Sequence, residues 1–145
     1  MAKAEISFEY FPPKTDAGKD KLLHETTPAL SELNPGFFSV TYGAGGSTRE
    51  TTAGLVSTMQ TMGVDVAPHI SFGGDDEDTM AELLETYRAR DIKRLVALRG
   101  DMPSGIGAAM QLVHANDLVA FIREHTGDHF DVKVAAYPEI HPESK

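Results

Sequence analysis

The 145-residue chain has no cysteine, which excludes disulfides, thiolate metal sites and cysteine nucleophiles at once. Basic residues are scarce. Thirteen Lys and Arg stand against 22 Asp and Glu, a net charge of −9, and no Lys/Arg run occurs. Nucleic acids and anionic membranes are recognised by a clustered positive field, so neither is expected as a partner. No apolar stretch approaches the ~18 residues of a membrane span. The opening Met1-Ala2-Lys3-Ala4-Glu5 leads into a strand-like segment instead of a secretory apolar region. Low-complexity segments and linkers are also missing. The expectation is one acidic, soluble, cytoplasmic domain over residues 1–145 with no internal boundary. The six histidines, His24, His69, His114, His125, His129 and His141, fall in no His-Glu-x-x-His or comparable spacing, and no metal site is expected.

What is present alternates between two periods. Ile6 to Phe11 reads as a strand stopped by Pro12-Pro13. A helical stretch from about Asp16 to Leu33 follows, with Leu22, Leu23, Leu30 and Leu33 on a broad face. Pro28 is expected to kink it or to start a second helix after Thr27. Phe37 to Tyr42 is strand-like, Gly43 to Gly46 is a turn, and Ser47-Thr48-Arg49-Glu50 is a capping box. The helix it opens should bury Leu55, Met59 and Met62. Val64 to Ser71 is the third strand and Gly73-Gly74 the turn after it. Asp75 to Asp78 form an acidic helix start, with Met80, Leu83, Leu84 and Tyr87 at helical spacing. Arg94 to Arg99 is the fourth strand, followed by a Gly/Pro-rich loop from Gly100 to about Gly107. A helix from about Asn116 to His125 and a strand from Val132 to Tyr137 complete the pattern.

Strands alternating with helices through about five repeats predict an α/β fold with a parallel sheet and right-handed crossovers. Two architectures compete, an open doubly wound sheet and a (β/α)₈ barrel of TIM type. Polar residues gather at the C-terminal ends of several predicted strands: Glu9, Thr41, His69, Arg99 with Asp101, and Tyr137 with His141. A barrel builds its site from many strand ends, whereas an open sheet concentrates ligand contacts at one switch point, so the barrel is favoured. A full barrel needs eight strands, and about five are present here. Two apolar edges would then stand open, so the chain is expected to self-associate as a homo-oligomer or to be closed by a complementary barrel half.

Three segments could carry chemistry. Glu9 lies in Phe8-Glu9-Tyr10-Phe11-Pro12-Pro13. Desolvation among aromatics would raise its pKa and suit a general acid, while strand alternation could equally turn it to solvent. Arg99-Gly100-Asp101 ends the fourth strand and offers a fork of donors, a close backbone approach and an acceptor, or else a strand-end salt bridge. Gly43 to Thr48 joins a strand to a helix N-terminus as anion loops do. It lacks the last Gly of the dinucleotide fingerprint and the Gly-Lys-Ser/Thr of a P-loop, and a structural turn is the plainer reading.

Taken together, five ordered motifs resemble the methylenetetrahydrofolate reductase family: Ser7 to Lys14, Phe38 to Ala44, Ala67-Pro68-His69, Val96 to Asp101, and Val134 to Glu143. The resemblance covers nearly the whole chain. It implies a (β/α)₈ flavoprotein of folate one-carbon metabolism and methionine biosynthesis. Such an enzyme uses FAD to pass a hydride from NAD(P)H to 5,10-methylenetetrahydrofolate, giving 5-methyltetrahydrofolate. Carried over residue by residue, it implies Glu9 as the general acid and Asp101 as a catalytic carboxylate near flavin and pterin. Thr41, His69, Arg99, Gly100, Asp101, Ala136, Tyr137 and His141 match FAD-contacting positions. His114 stands where many relatives have a Tyr. The alternative is a non-catalytic half-barrel or flavin/folate-binding module that needs a second chain to close.

Overall fold

The computed structural model describes residues 4–42, 48–72, 75–99, 114–136 and 138–140. Five strands form one sheet: β1 (Ser7–Tyr10), β2 (Phe37–Val40), β3 (Val66–Ile70), β4 (Arg94–Ala97) and β5 (Asp131–Val134). Their spatial order is β1-β2-β3-β4-β5 and every pairing is parallel. A doubly wound sheet reverses its strand order at a switch point, and this one never does. Successive right-handed crossovers without reversal place all helices on one face, which is the barrel arrangement carried through five strands. The outer edges of β1 and β5 have no strand partner among the described residues.

Strand alternation then sorts the side chains into two sets. Tyr10, Phe38, Val40, Val66, Ile70, Leu95 and Ala97 face the helices and join one buried cluster. That cluster takes Leu55, Val56 and Met59 from α3 (Arg49–Thr61) and Met80, Leu84 and Tyr87 from α4 (Glu77–Ala89). Leu118, Phe121 and Ile122 enter it from α5 (Ala115–Thr126). Each fully buried aliphatic here stabilises the fold by about 1.5–3 kcal/mol relative to an exposed one. The intervening residues, Glu9, Ser39, Ala67, His69, Arg94, Val96, Asp131 and Lys133, share the helix-free face.

The first helical stretch changes at Pro28 close to the way expected, with Pro28 in the first turn of a new helical element that starts at Thr27. It continues as α1 (Asp16–Lys21), a π-helical turn (Leu22–Thr26) and α2 (Thr27–Ser31). Pro28 has no N–H and its ring would strike the carbonyl four residues back. Widening one turn accommodates it, with the Thr27 N–H reaching Leu22 O. The Thr27 hydroxyl donates to the same carbonyl at 2.8 Å and accepts from Tyr10 Oη at 3.1 Å, pinning the turn to β1. Leu33 falls beyond the helix end and is exposed, and Met62, expected in the buried stripe, is 42% exposed as the C-cap of α3.

The caps follow side-chain chemistry. Thr48 caps α3 by accepting from Thr51 N at 3.2 Å, one residue later than the expected Ser47, which lies outside the described residues. Asp76 caps α4 by accepting from Thr79 N at 2.8 Å. Among the described residues no helix is long and apolar enough to cross a membrane.

Candidate active site

In a parallel sheet all strands end on one side, and that is where the expected site residues gather. Glu9 and His69 are each the next-to-last residue of their strands, Thr41 follows β2 directly, and Arg99 and Ala136 lie two residues past β4 and β5. Gly100, Asp101, Tyr137 and His141 lie outside the described residues, as does most of the Gly43–Thr48 segment.

Glu9 and Ser39 are register partners on β1 and β2, and His69 emerges beside Ser39 from β3. The His69 ring is 7% exposed. Its Nε2 makes a 3.3 Å hydrogen bond with Ser39 Oγ, and Glu9 Oε2 lies 3.3 Å from that same nitrogen. Burial pushes the His69 imidazole below its ordinary value, partly countered by the negative field of Glu9. A serine hydrolase relay needs nucleophile and acid on opposite ring nitrogens. Both oxygens here converge on one, so this geometry does not activate Ser39.

The expected desolvation of Glu9 by its aromatic neighbours is not found. Phe8 and Tyr10 alternate to the helix side, and the Glu9 side chain is 53% exposed. Sequence adjacency in a strand separates side chains onto opposite faces, which is why the surroundings of Glu9 come from β2 and β3 instead.

Thr41 is held by two hydrogen bonds and by burial. Its N–H donates to Tyr10 O at 2.9 Å, its carbonyl accepts from the Thr52 hydroxyl on α3 at 2.9 Å, and its side chain is buried. Among the described residues, Thr41 Oγ1 nevertheless has no hydrogen-bond partner. A buried hydroxyl left without a bond costs about 1–3 kcal/mol, so this oxygen is suited to a polar ligand at the strand ends. Nearby, Arg49 at the start of α3 pairs with Asp75 before α4, tying together the segments that follow β2 and β3. Ala136 is exposed, and His114 is the N-cap residue of α5, its N–H donating to the Asp117 carboxylate at 3.4 Å.

Two hollows border the sheet. The larger, about 500 Å³, lies at the opposite end, around the strand starts, and is lined by Asp65, Arg94 and Asp131 among others. The smaller, about 220 Å³, lies on the side where the strands end and is lined by Pro12, Lys14, Lys19, Glu50 and Thr51. In barrel folds the strand-start end serves stability and the strand-end side serves chemistry, so the larger hollow is not the candidate site.

All residues from 1 to 145 match the methylenetetrahydrofolate reductase family. The chain belongs to that family. The 5,10-methylenetetrahydrofolate reductase of Pectobacterium carotovorum subsp. carotovorum is 39% identical over 146 residues, covering 100% of this chain and 47% of that protein. The 5,10-methylenetetrahydrofolate reductase of Escherichia coli (strain K12) is 38% identical over 146 residues, again across 100% of the chain and 48% of the relative. The Zea mays protein named methylenetetrahydrofolate reductase (NADH) 1 is 37% identical over 147 residues, which is 98% of this chain and 25% of that one. The chain thus spans about half the length of the bacterial relatives. The methylenetetrahydrofolate reductase family builds a TIM barrel, and the five-stranded arc is the corresponding portion of it.

Ser39 was not legible as part of the site. Ser39 lies inside the Phe38 to Ala44 motif without being singled out there, and its other signal is position, two residues before Thr41 and so on the same face.

Proposed function

We propose that this chain supplies the N-terminal part of an oxidoreductase that converts 5,10-methylenetetrahydrofolate to 5-methyltetrahydrofolate, with FAD as cofactor and a reduced nicotinamide as hydride source. The match of all 145 residues to the reductase family carries the reading. The plant relative's name includes NADH, which supports a nicotinamide partner.

The residues at hand fit a flavin cofactor. Thr41 offers a buried hydroxyl with no partner among the described residues, and His69 and Arg99 stand along the same row of strand ends. With Gly100, Asp101, Ala136, Tyr137 and His141 these are the residues that would hold FAD. The cofactor supplies hydride transfer, and the chain supplies placement and charge. Glu9, as general acid, protonates the folate nitrogen that leaves the methylene bridge, so that the carbon–nitrogen bond breaks and an electrophilic iminium remains to receive hydride. Asp101 is the second carboxylate in this reading.

Flavin retention is the direct test. The purified chain is mixed with FAD, freed of unbound cofactor and examined by visible absorption. Retained flavin absorbance that falls in Thr41→Val supports the site, and a colourless protein removes it from the chain acting alone. With the remaining barrel strands supplied, Glu9→Gln should lose at least ~100-fold in folate turnover while keeping flavin. Undiminished turnover takes Glu9 out of the acid role.

A second reading rests on the unpaired outer edges of β1 and β5 and on exposed Ile6 and Val134. It makes the chain a non-catalytic half-barrel that self-associates or pairs with a complementary half. A monomer by sedimentation with cooperative unfolding counts against it.

A further inference from the structure

A general acid must hold a proton until it is needed, and the aromatic desolvation that would do this for Glu9 is not present. The structure offers another holder. His69 Nε2 is 3.3 Å from Glu9 Oε2 and is bonded to Ser39 Oγ at 3.3 Å. A hydroxyl can donate or accept, so Ser39 can keep its bond whether Nε2 carries a proton or not. An ionised carboxylate only accepts, so Glu9 and His69 constrain each other.

We infer that Glu9 and His69 hold one proton in common, across the Oε2–Nε2 gap, and that Ser39 is the positioning residue that keeps Nε2 aimed at the carboxylate. The inference rests on the reading of Glu9 as the acid. When the pair takes up a proton from water, that proton sits on Glu9 as a carboxyl donating to bare Nε2, or on Nε2 donating to the carboxylate. The other ring nitrogen, Nδ1, keeps its hydrogen in both arrangements. Burial of the ring disfavours the charged imidazole, and the negative field of Glu9 partly offsets this.

On β1 the group facing the ring is Glu9 and on β2 it is Ser39, while the register partner of His69 on β4 is Val96. Among the described residues, Glu9 is the charged group whose field acts on His69. Ser39 is 5% exposed and stands opposite Glu9 in the ladder, so its place is fixed by backbone pairing.

The test is a pH titration of the full chain by NMR, following the Glu9 carboxyl carbon and the His69 ring carbon together, with no flavin, folate or reductant present. One shared proton makes both nuclei move together at the first midpoint as the pH falls, with a second step following at lower pH. In Ser39→Ala the two nuclei should instead move at different midpoints, and Ser39→Thr should restore coincidence. A Ser39 that merely fills space would alter stability in Ser39→Ala and leave the midpoints together. Separate midpoints in the unmodified chain overturn the inference whatever the variants do, and so does coincidence that survives Ser39→Ala. Either failure leaves the reductase reading standing, since no turnover is measured. A reductase assay that fails leaves the titration result untouched.

Discussion

Arg94 and Asp131 stand directly opposite each other in the β4–β5 register, and their side chains meet at 2.5 Å. The same guanidinium reaches Asp65 at 3.0 Å through Nε and lies 5.4 Å over the Phe37 ring, while Lys133 contacts Asp131 at 3.1 Å. Arg94 thereby links β2, the approach to β3, and β5 at the end of the sheet away from the candidate site.

Arg94→Met should therefore cost stability and spare flavin retention. The carboxylates are about half exposed and screened, so the expected loss is about 1 kcal/mol. Urea unfolding in low salt and in 1 M salt checks it, with the deficit shrinking in high salt. An equal deficit in both would assign the effect to lost stem packing.

Tyr87 sets an alkaline limit. Burial pushes its phenol up from 10.0 to about 12, with Arg49 and Arg90 pulling the other way. Above the unfolded value the unfolded chain releases a proton that the folded chain keeps. Stability is whole below pH 10 and is lost as pH rises toward about 12, by up to about 1.4 kcal/mol per pH unit. Tyr10, raised for the same reason, adds to the slope. Urea midpoints at successive pH values above 9 should fall less steeply in Tyr87→Phe.

At the acid end His69 acts with the opposite sign. Its folded value lies below the ordinary 6.5, so the unfolded chain binds a proton that the folded one declines. The contribution is complete above pH 6.5 and is lost as pH falls below it. Comparing the acid limbs of the unmodified chain and His69→Gln measures the share of His69 together with its effect on Glu9. Identical limbs would remove it.

Core packing gives a larger effect. Leu84 is fully buried on α4, and Leu84→Ala should cost about 2–5 kcal/mol in chemical denaturation, with no change in the midpoint coincidence of Glu9 and His69.

Much of the architecture was legible because alternation and helical spacing are local. Phe8 and Tyr10, or Met80, Leu84 and Tyr87, announce their faces within one element. Helix ends were harder. Met62 and Leu33 continue an apolar period past the point where the chain turns away, and the π-helical turn just before Pro28 is revealed by no spacing rule. The row of strand ends was legible as a list of residues, but its contacts were not. Glu9 meets His69 across two strand pairings between segments some sixty positions apart, a relation set by register and carried by no single motif.

The uninterrupted strand order also sets a sequence of assembly. Each strand pairs with one that follows it by roughly thirty residues, so every ladder closes over a short loop of chain. At ribosomal speeds one such unit emerges in roughly 2–6 seconds, long compared with hairpin or helix formation. β1 and β2 can be joined before β4 exists, and the growing margin is always the newest strand. Glu9, Ser39 and His69 all lie on the first three strands, so their meeting place is complete by the time β3 has docked, with the rest of the sheet still to be made.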